Sequence, residues 1–533
     1  MNQSALPPLS TDRSRLLADL RALQMVDVIV VGGGASGLGV ALDARLRGLS
    51  VLLLESNDFA GGTSSRATKL VHGGVRYLAQ GDIGLVREAL HERQALLANA
   101  PHLAQPLAFV MPAYRVWEAP FYGTGLKLYD VLAGKASLGP TRWLGRSGVR
   151  DHLPGINTKG LFGGVRYWDG QFDDARLALT LARTAVAQGA LVANYCAVTE
   201  VLHAQGRVCG VRWRDTLDAG ATGGEVRARC VINAAGVWVD DIRQMDDQAA
   251  GRPTRPMVAP SQGVHLVVDR SFLPAQEALL VPHTRDGRVL FAVPWLGHVI
   301  LGTTDTPRHD AVREPQALPE EVSFILTEAA RVLARAPRRE DVLSLWVGLR
   351  PLVRPSDDDD DTKTISREHT VRVSPAGLVT VTGGKWTTYR AMAEDVLQRC
   401  VRANLLDALP PSRTWRFPLV GAPAAGAART PLTAPPGIQA YGTEGAYVET
   451  LPGARDNLAL GLTQAMVRFA VRHEYARTVE DVLARRHRML FLNAAQAIAQ
   501  APVVAKILQE ELGTDGDLNG FLALAKHYRT VPG

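Results

Sequence analysis

Cysteine is scarce in this chain: Cys196, Cys209, Cys230 and Cys400 are four among 533 residues. They lack the paired spacing of metal ligands or of a redox dithiol. That excludes a disulfide scaffold and points to idle thiols in a reducing compartment, with no metal site expected. No apolar run approaches the roughly 20 residues needed to span a bilayer. The opening stretch MNQSALPPLSTDRSRLLADLRAL contains acids and no long apolar core, so it does not read as a secretory leader. No basic block interleaves with aromatics, which sets nucleic acid aside despite a net charge of +6. That charge favours an anionic substrate or an anionic lipid surface. No internal repeat is visible.

What is present is an ordinary globular composition, 46% apolar and 21% charged, long enough for two or three domains. Leu16, Leu17, Leu20 and Leu23 recur at helical spacing behind Thr11 or Asp12 as a cap. DVIVV (27–31) reads as a buried strand, GGGASG (32–37) as a turn, 35–47 as a helix and SVLLLE (50–55) as a second strand. Further helices are expected near 81–99, 173–188 and 318–335. Strands are expected at 208–213, 228–233, 264–268, 289–293 and 298–302. Pro, Ala and Gly accumulate over 410–437, which reads as a linker, and 462–500 is helical again. The acidic run over 357–361 reads as a solvated loop.

The first unit carries chemistry. Gly32, Gly34 and Gly37 form G-x-G-x-x-G between strand and helix. The first glycine permits the turn, the second lets backbone approach a pyrophosphate, and the third lets helix pack on strand. Amides at the helix start then face phosphate. Glu55 ends the second strand, where a carboxylate accepts from ribose hydroxyls. This pattern alone leaves NAD and FAD open. Two remote pieces favour FAD. CVINAAGVW (230–238) ends a strand in small residues, Ala235 and Gly236 among them. VTVTGGKWTTYRAMAEDVL (379–397) is strand, glycine turn and helix, placing Gly384, Lys385 and Thr387 at a second helix start. An elongated dinucleotide held by discontinuous segments needs such returns; a compact NAD domain does not.

TSSRATKLVHGGVRYL, SQGVHLVV, LGTTD, GLRPLV and TGGKWTTYR follow one another in that order. The set resembles the FAD-dependent glycerol-3-phosphate dehydrogenase family of the respiratory, aerobic type. YGTEG and VRHEYARTVEDVLARRHRMLFLNA resemble its C-terminal helical domain. The resemblance implies an α/β flavoprotein of the glutathione-reductase/D-amino-acid-oxidase type. Its parts are a Rossmann-like FAD domain, an inserted α+β substrate domain and a C-terminal all-α domain. The chain then divides into an extension with a short helix (1–24), an oxidoreductase region (25–408), a linker (409–440) and a helical domain (441–533). Within 25–408, FAD parts fall at about 25–100, 165–255 and 335–408, and substrate parts at about 101–164 and 256–334. The implied reaction is oxidation of sn-glycerol 3-phosphate to dihydroxyacetone phosphate, with hydride passing to non-covalently held FAD and electrons to a membrane quinone. The protein would sit peripherally on the inner, cytoplasmic face of the cell membrane, alone or as a homodimer.

Such a reaction needs an electron acceptor, a base at the hydroxyl and cations for phosphate, for which the planar fork of Arg is suited. By resemblance, Arg76, Arg350, Arg367 and Lys385 meet the substrate. Thr63, Ser64, Ser65 and Lys69 lie along the cofactor, and Gly73 and Gly74 let the backbone bend toward the flavin. Pro351 restrains Arg350 away from helix. His265, inside the strand VHLVV, matches the family's substrate-site histidine, and an ordinary pKa near 6.5 suits a base. His72 is its rival. His265, Arg350 and Lys385 are the expected catalytic set, with Thr303, Thr304 and Asp305 closing over the ring. Trp386 departs from the family pattern, where a smaller aliphatic residue is expected. Alternative readings are an oxygen-using glycerol-3-phosphate oxidase, another FAD-dependent hydroxy-acid or amine oxidase, and a non-catalytic nucleotide-binding protein.

Overall fold

Val28, Ile29 and Val30, in the strand Met25–Val31, are fully buried. A strand apolar on both faces must be covered on both, as in parallel sheets, and each such side chain contributes about 1.5–3 kcal/mol. The computed structural model describes residues 8–74, 82–218, 220, 223–284, 287–354 and 369–533. In it, Met25–Val31 lies between Val51–Leu54 and Gly224–Asn233, parallel to both. Leu191–Ala193 and Val379–Gly383 extend the parallel order at the two sides. Antiparallel additions follow: His369–Val373 on the second of these, and the hairpin Cys196–Ala204 with Arg207–Asp215 on Gly224–Asn233.

Helices Ala35–Leu46, Asp174–Ala187 and Tyr389–Arg402 bury their apolar residues against one face of this sheet. On the other, the helix Arg13–Ala22 inserts Leu20 beside Val26, Ile29 and Leu52. Its cap is Asp12, whose side chain accepts from Arg15 N at 2.7 Å.

A second, mostly antiparallel sheet centres on the long pair Val258–Asp269 and Val342–Val353. His298–Gly302, Leu290–Trp295 and Ala278–Val281 continue it, and Ala104–Ala113 and Gly163–Phe172 follow. The register sets Ser261 opposite Arg350, Gly263 opposite Gly348 and His265 opposite Trp346. Since side chains alternate along a strand, these six share one face. The C-terminal helices Gln464–His473, Ala494–Leu512 and Leu518–Arg529 join Trp295 and Trp346 of this sheet in one apolar core. Within 409–440, Leu419 and Leu432 are buried, and Leu432 O accepts from Leu296 N at 2.8 Å.

Candidate active site

At the carboxyl ends of the parallel strands lies a cavity of about 1160 Å³. Gly32, Gly34, Glu55, Thr63, Ser64, Ala235, Gly236, Gly384, Lys385 and Trp386 all stand on its wall. A Cβ on Gly32 would come within 2.6 Å of Ala234 O, and Gly32 already has φ +110°. A Cβ on Gly37 would run into Gly32 O, so that glycine serves the packing of helix on turn. The helix Ala35–Leu46 starts at Gly34, which has no side chain to cap it, so that among the described residues only Ala35 N is taken, by Ser64; Tyr389–Arg402 likewise starts at Thr388 without a side-chain cap. Uncapped helix starts leave amides and positive dipole ends for an anion. Glu55 accepts from Gly33 N at 2.6 Å and Asn57 N at 2.9 Å, fixing the turn while remaining on the wall. These features fit FAD: a long cavity, turns that only glycine allows, two open helix starts and an acid at the second strand.

Other side chains lock the pieces together. Ser64 Oγ accepts from Ala35 N at 3.0 Å, and Thr63 Oγ1 donates to Leu349 O at 2.6 Å. Thr387 Oγ1 donates to His72 O at 3.4 Å. Trp386 finds a place through its indole N–H, which donates to Ser64 O at 2.8 Å, and through edge contacts with Phe172 and Tyr389. Ser65, Lys69 and Gly73, expected along the cofactor, are not on the described wall. Gly73 N donates to Tyr129 Oη at 2.8 Å, and a Cβ there would strike that hydroxyl. Gly74 has φ +78°. Arg76, Arg367 and the acidic run over 357–361 lie outside the described residues.

The cluster expected to meet the substrate stands beside the wall on the long strand pair; Pro351 is on the wall, while Arg350 and His265 are not. Arg350 donates to Asp305 Oδ1 (3.1 Å), Thr304 O (3.0 Å), Thr303 Oγ1 (3.3 Å) and Gln262 O (3.4 Å). Its side chain is 25% exposed. Gly263 makes this possible, since a Cβ there would meet Arg350 Nη2 at 2.5 Å. Asp305 in turn accepts from Ser261 Oγ. So Thr303, Thr304 and Asp305 hold the guanidinium. His265 is buried, stacks on Trp346 with centroids 5.1 Å apart, and its Nε2 is 2.9 Å from Thr68 Oγ1.

The ordinary imidazole pKa expected for His265 is not what the site produces. Burial, then the charges of Lys69 and Arg350, push it well below that range, so the ring is neutral at physiological pH. Lys69 is itself fully buried, with Nζ 2.7 Å from Asp174 Oδ2 and 2.8 Å from Ser65 O. Burial, reinforced by Arg488 and opposed by Asp174, pushes it down to about 7.

Sequence reasoning missed the share of the C-terminal helices in this site. Thr478, Glu480, Arg485, Phe521 and Leu524 line the cavity. Asp58, fully buried, is paired with both Arg485 and Arg486. Burial alone would raise that carboxyl, but the two guanidiniums prevail and bring it down to about 2. The run ARRHR was present in the sequence, but its spacing says nothing of a partner more than 400 residues away.

Residues 27–399 match the family described as FAD dependent oxidoreductase, and 412–518 the C-terminal domain of alpha-glycerophosphate oxidase. The chain is 40% identical to the mitochondrial glycerol-3-phosphate dehydrogenase of Bos taurus, across 94% of this chain and 73% of that one. The crystal structure of the Bacillus halodurans glycerol-3-phosphate dehydrogenase complexed with FAD superposes with a TM-score of 0.77 at 28% identity, covering 98% of both chains. The L-alpha-glycerophosphate oxidase of Mycoplasma pneumoniae, with FAD bound, shares the fold alone: TM-score 0.55 and 16% identity, over 74% of this chain and 98% of that one. Cradle, cluster and comparisons agree, and the chain belongs to the FAD-dependent oxidoreductases, in the glycerol-3-phosphate dehydrogenase family.

Proposed function

We propose that the protein oxidises sn-glycerol 3-phosphate to dihydroxyacetone phosphate and delivers the electrons to a membrane quinone. The observation that carries the reading is a dinucleotide cradle beside a buried imidazole and a partly buried arginine, in a chain 40% identical to dehydrogenases of that name. FAD held by the two glycine turns and two helix starts supplies the two-electron acceptor. Arg350, held by Asp305, Thr303 and Thr304, brings a fixed positive charge to bind the phosphate dianion. Lys385, on the cavity wall before the turn Trp386–Thr388, adds a second positive charge. His265, held neutral, takes the hydroxyl proton. Nε2 shares its hydrogen bond with Thr68, and Nδ1 has no partner among the described residues. A dianion entering between Arg350 and Lys385 offsets the charges that depress His265, which strengthens it as a base when substrate is present. Arg76 and Arg367 complete the phosphate contacts in this reading.

The surface supports a lipid partner. Among the described residues no helix is long and apolar enough to cross a membrane. Yet seven of the thirteen exposed large apolar side chains among the described residues fall between 116 and 162: Val116, Trp117, Phe121, Leu128, Val131, Trp143 and Phe162. Arg115, Lys127, Arg142, Arg146 and Arg150 are exposed in the same stretch. Aromatic and apolar side chains among cations suit an anionic bilayer surface, which supports the reading of a peripheral protein on the inner face of the cell membrane.

Steady-state assay with a soluble quinone analogue tests the reaction. Turnover of glycerol 3-phosphate with quinone reduction is expected. Hydrogen peroxide formed in step with product would make it an oxidase, and turnover of hydroxy acids or amines in place of the phosphate ester would overturn the substrate. Sedimentation with anionic vesicles tests the surface: Phe121→Glu should abolish co-sedimentation and leave turnover of the soluble quinone unchanged, and unimpaired binding would refute the surface.

A further inference from the structure

The segment 55–69 carries Glu55, Thr63 and Ser64 on the cavity wall and Thr68 against His265. It is held at two points by side chains from one short stretch of the C-terminal helices. At its start, Arg485 and Arg486 pair with Asp58, Arg486 Nη2 lying 2.9 Å from Oδ1. At its end stands Arg488. This residue has φ +70° and is fully buried. Its Nη2 donates to Ser65 O at 2.6 Å and lies 3.3 Å from Asp174 Oδ1. Its Nη1 donates to Ala484 O at 2.9 Å, and its guanidinium lies 4.0 Å from the Phe491 ring centroid.

Ser65 O and Asp174 are also the acceptors for Lys69, and Asp174 Oδ2 accepts from Ala67 N at 3.0 Å. The stretch 65–69 thus hangs on a box of two buried cations, Lys69 and Arg488, facing Asp173 and Asp174. A buried arginine at a left-handed backbone position is a costly placement. Its contacts offset that cost and tie the helices to the loop 65–69.

We propose that Arg488 is a positioning residue for the reaction: through Ser65 O and Asp174 it holds the loop that sets Ser64 against the cofactor and Thr68 against His265. The C-terminal helical region is by this account part of the active site and not an appended module. This inference rests on the proposed oxidation for its rate readout and on cofactor retention for a readout independent of substrate.

The test uses full-length holoenzyme carrying Arg488→Gln and Arg488→Lys, with Arg468→Gln as comparator. Arg468 pairs with Glu510 and Glu511 and does not line the cavity. Two quantities are read: the rate of flavin reduction after anaerobic mixing with glycerol 3-phosphate, and the rate of FAD loss on dilution. Arg488→Gln is expected to slow reduction about 10- to 100-fold, with KM nearly unchanged, and to speed FAD loss. Arg488→Lys should restore part of both, since an amine can still donate to Ser65 O, and Arg468→Gln should match wild type. Wild-type rates in Arg488→Gln would overturn the proposal, as would equal losses in Arg468→Gln. Where Arg488→Gln does not fold, Arg488→Lys decides: intermediate rates support the proposal and wild-type rates refute it. If wild type itself is not reduced by the substrate, the reaction assignment fails, and FAD loss alone decides the positioning role.

Discussion

The nucleotide cradle and the substrate cluster lie side by side and are built from different materials. The cradle is backbone: Gly32, Gly34 and Gly37 at one helix start and Gly384 before another, with Glu55 buttressing the first turn. Its selectivity comes from what is absent, because a methyl group at Gly37 has nowhere to go. The cluster is side chains: Arg350, Asp305, Thr303, His265 and Thr68, spread over some 280 residues and aligned by strand register. A cradle of this kind fails all at once, whereas a cluster of this kind can lose one function at a time.

The largest effect is expected from Gly37→Val, which forces helix and turn apart. Overpacking of this sort costs about 3 kcal/mol or more, and purified protein should lack flavin absorbance and melt earlier; a yellow, stable variant would break the contrast. Next comes His265→Ala, which removes the proposed proton acceptor. Flavin reduction should slow roughly 10²- to 10⁴-fold, with flavin content full. Arg350→Ala should raise KM for glycerol 3-phosphate about 10- to 100-fold, the worth of charged hydrogen bonds of 1.5–3 kcal/mol, again with full flavin. Loss of flavin in either variant would show that cradle and cluster are not separable.

The smallest effect concerns pH. Lys69, pushed down to about 7, loses its proton as pH rises through that value, and its positive charge no longer depresses His265. The reduction rate should therefore rise a few-fold across neutrality, and Lys69→Met, charge-free throughout, should flatten that rise. A rise unchanged in Lys69→Met would assign it to another group.

The same contrast governs what could be read from sequence. The cradle was legible because its logic is local: glycine spacing, a buried valine run and an acid 18 residues after Gly37 determine it. The regular elements around it were legible for the same reason. The helix expected over 173–188 is Asp174–Ala187, and the strand expected at 298–302 is His298–Gly302. The cluster was reached only through ordered motifs resembling a family. Period and propensity do not say that Ser261 will face Arg350, nor that burial, with Lys69 and Arg350 nearby, will hold His265 neutral. Pairings such as Asp58 with Arg485 and Arg486 left no local trace, because each partner alone reads as a solvated charge. The region 462–500, expected as helix, is broken into Gln464–His473, a wider turn Asp481–Arg486, Met489–Leu492 and the start of Ala494–Leu512. Those breaks are what let three arginines turn inward.

The most direct test is anaerobic mixing of the purified yellow protein with glycerol 3-phosphate while flavin absorbance is followed. Rapid bleaching by the phosphate ester, with glycerol inert at the same concentration, is the predicted result. Flavin that stays oxidised, or that bleaches equally with glycerol, would contradict a site in which Arg350 grips phosphate beside FAD.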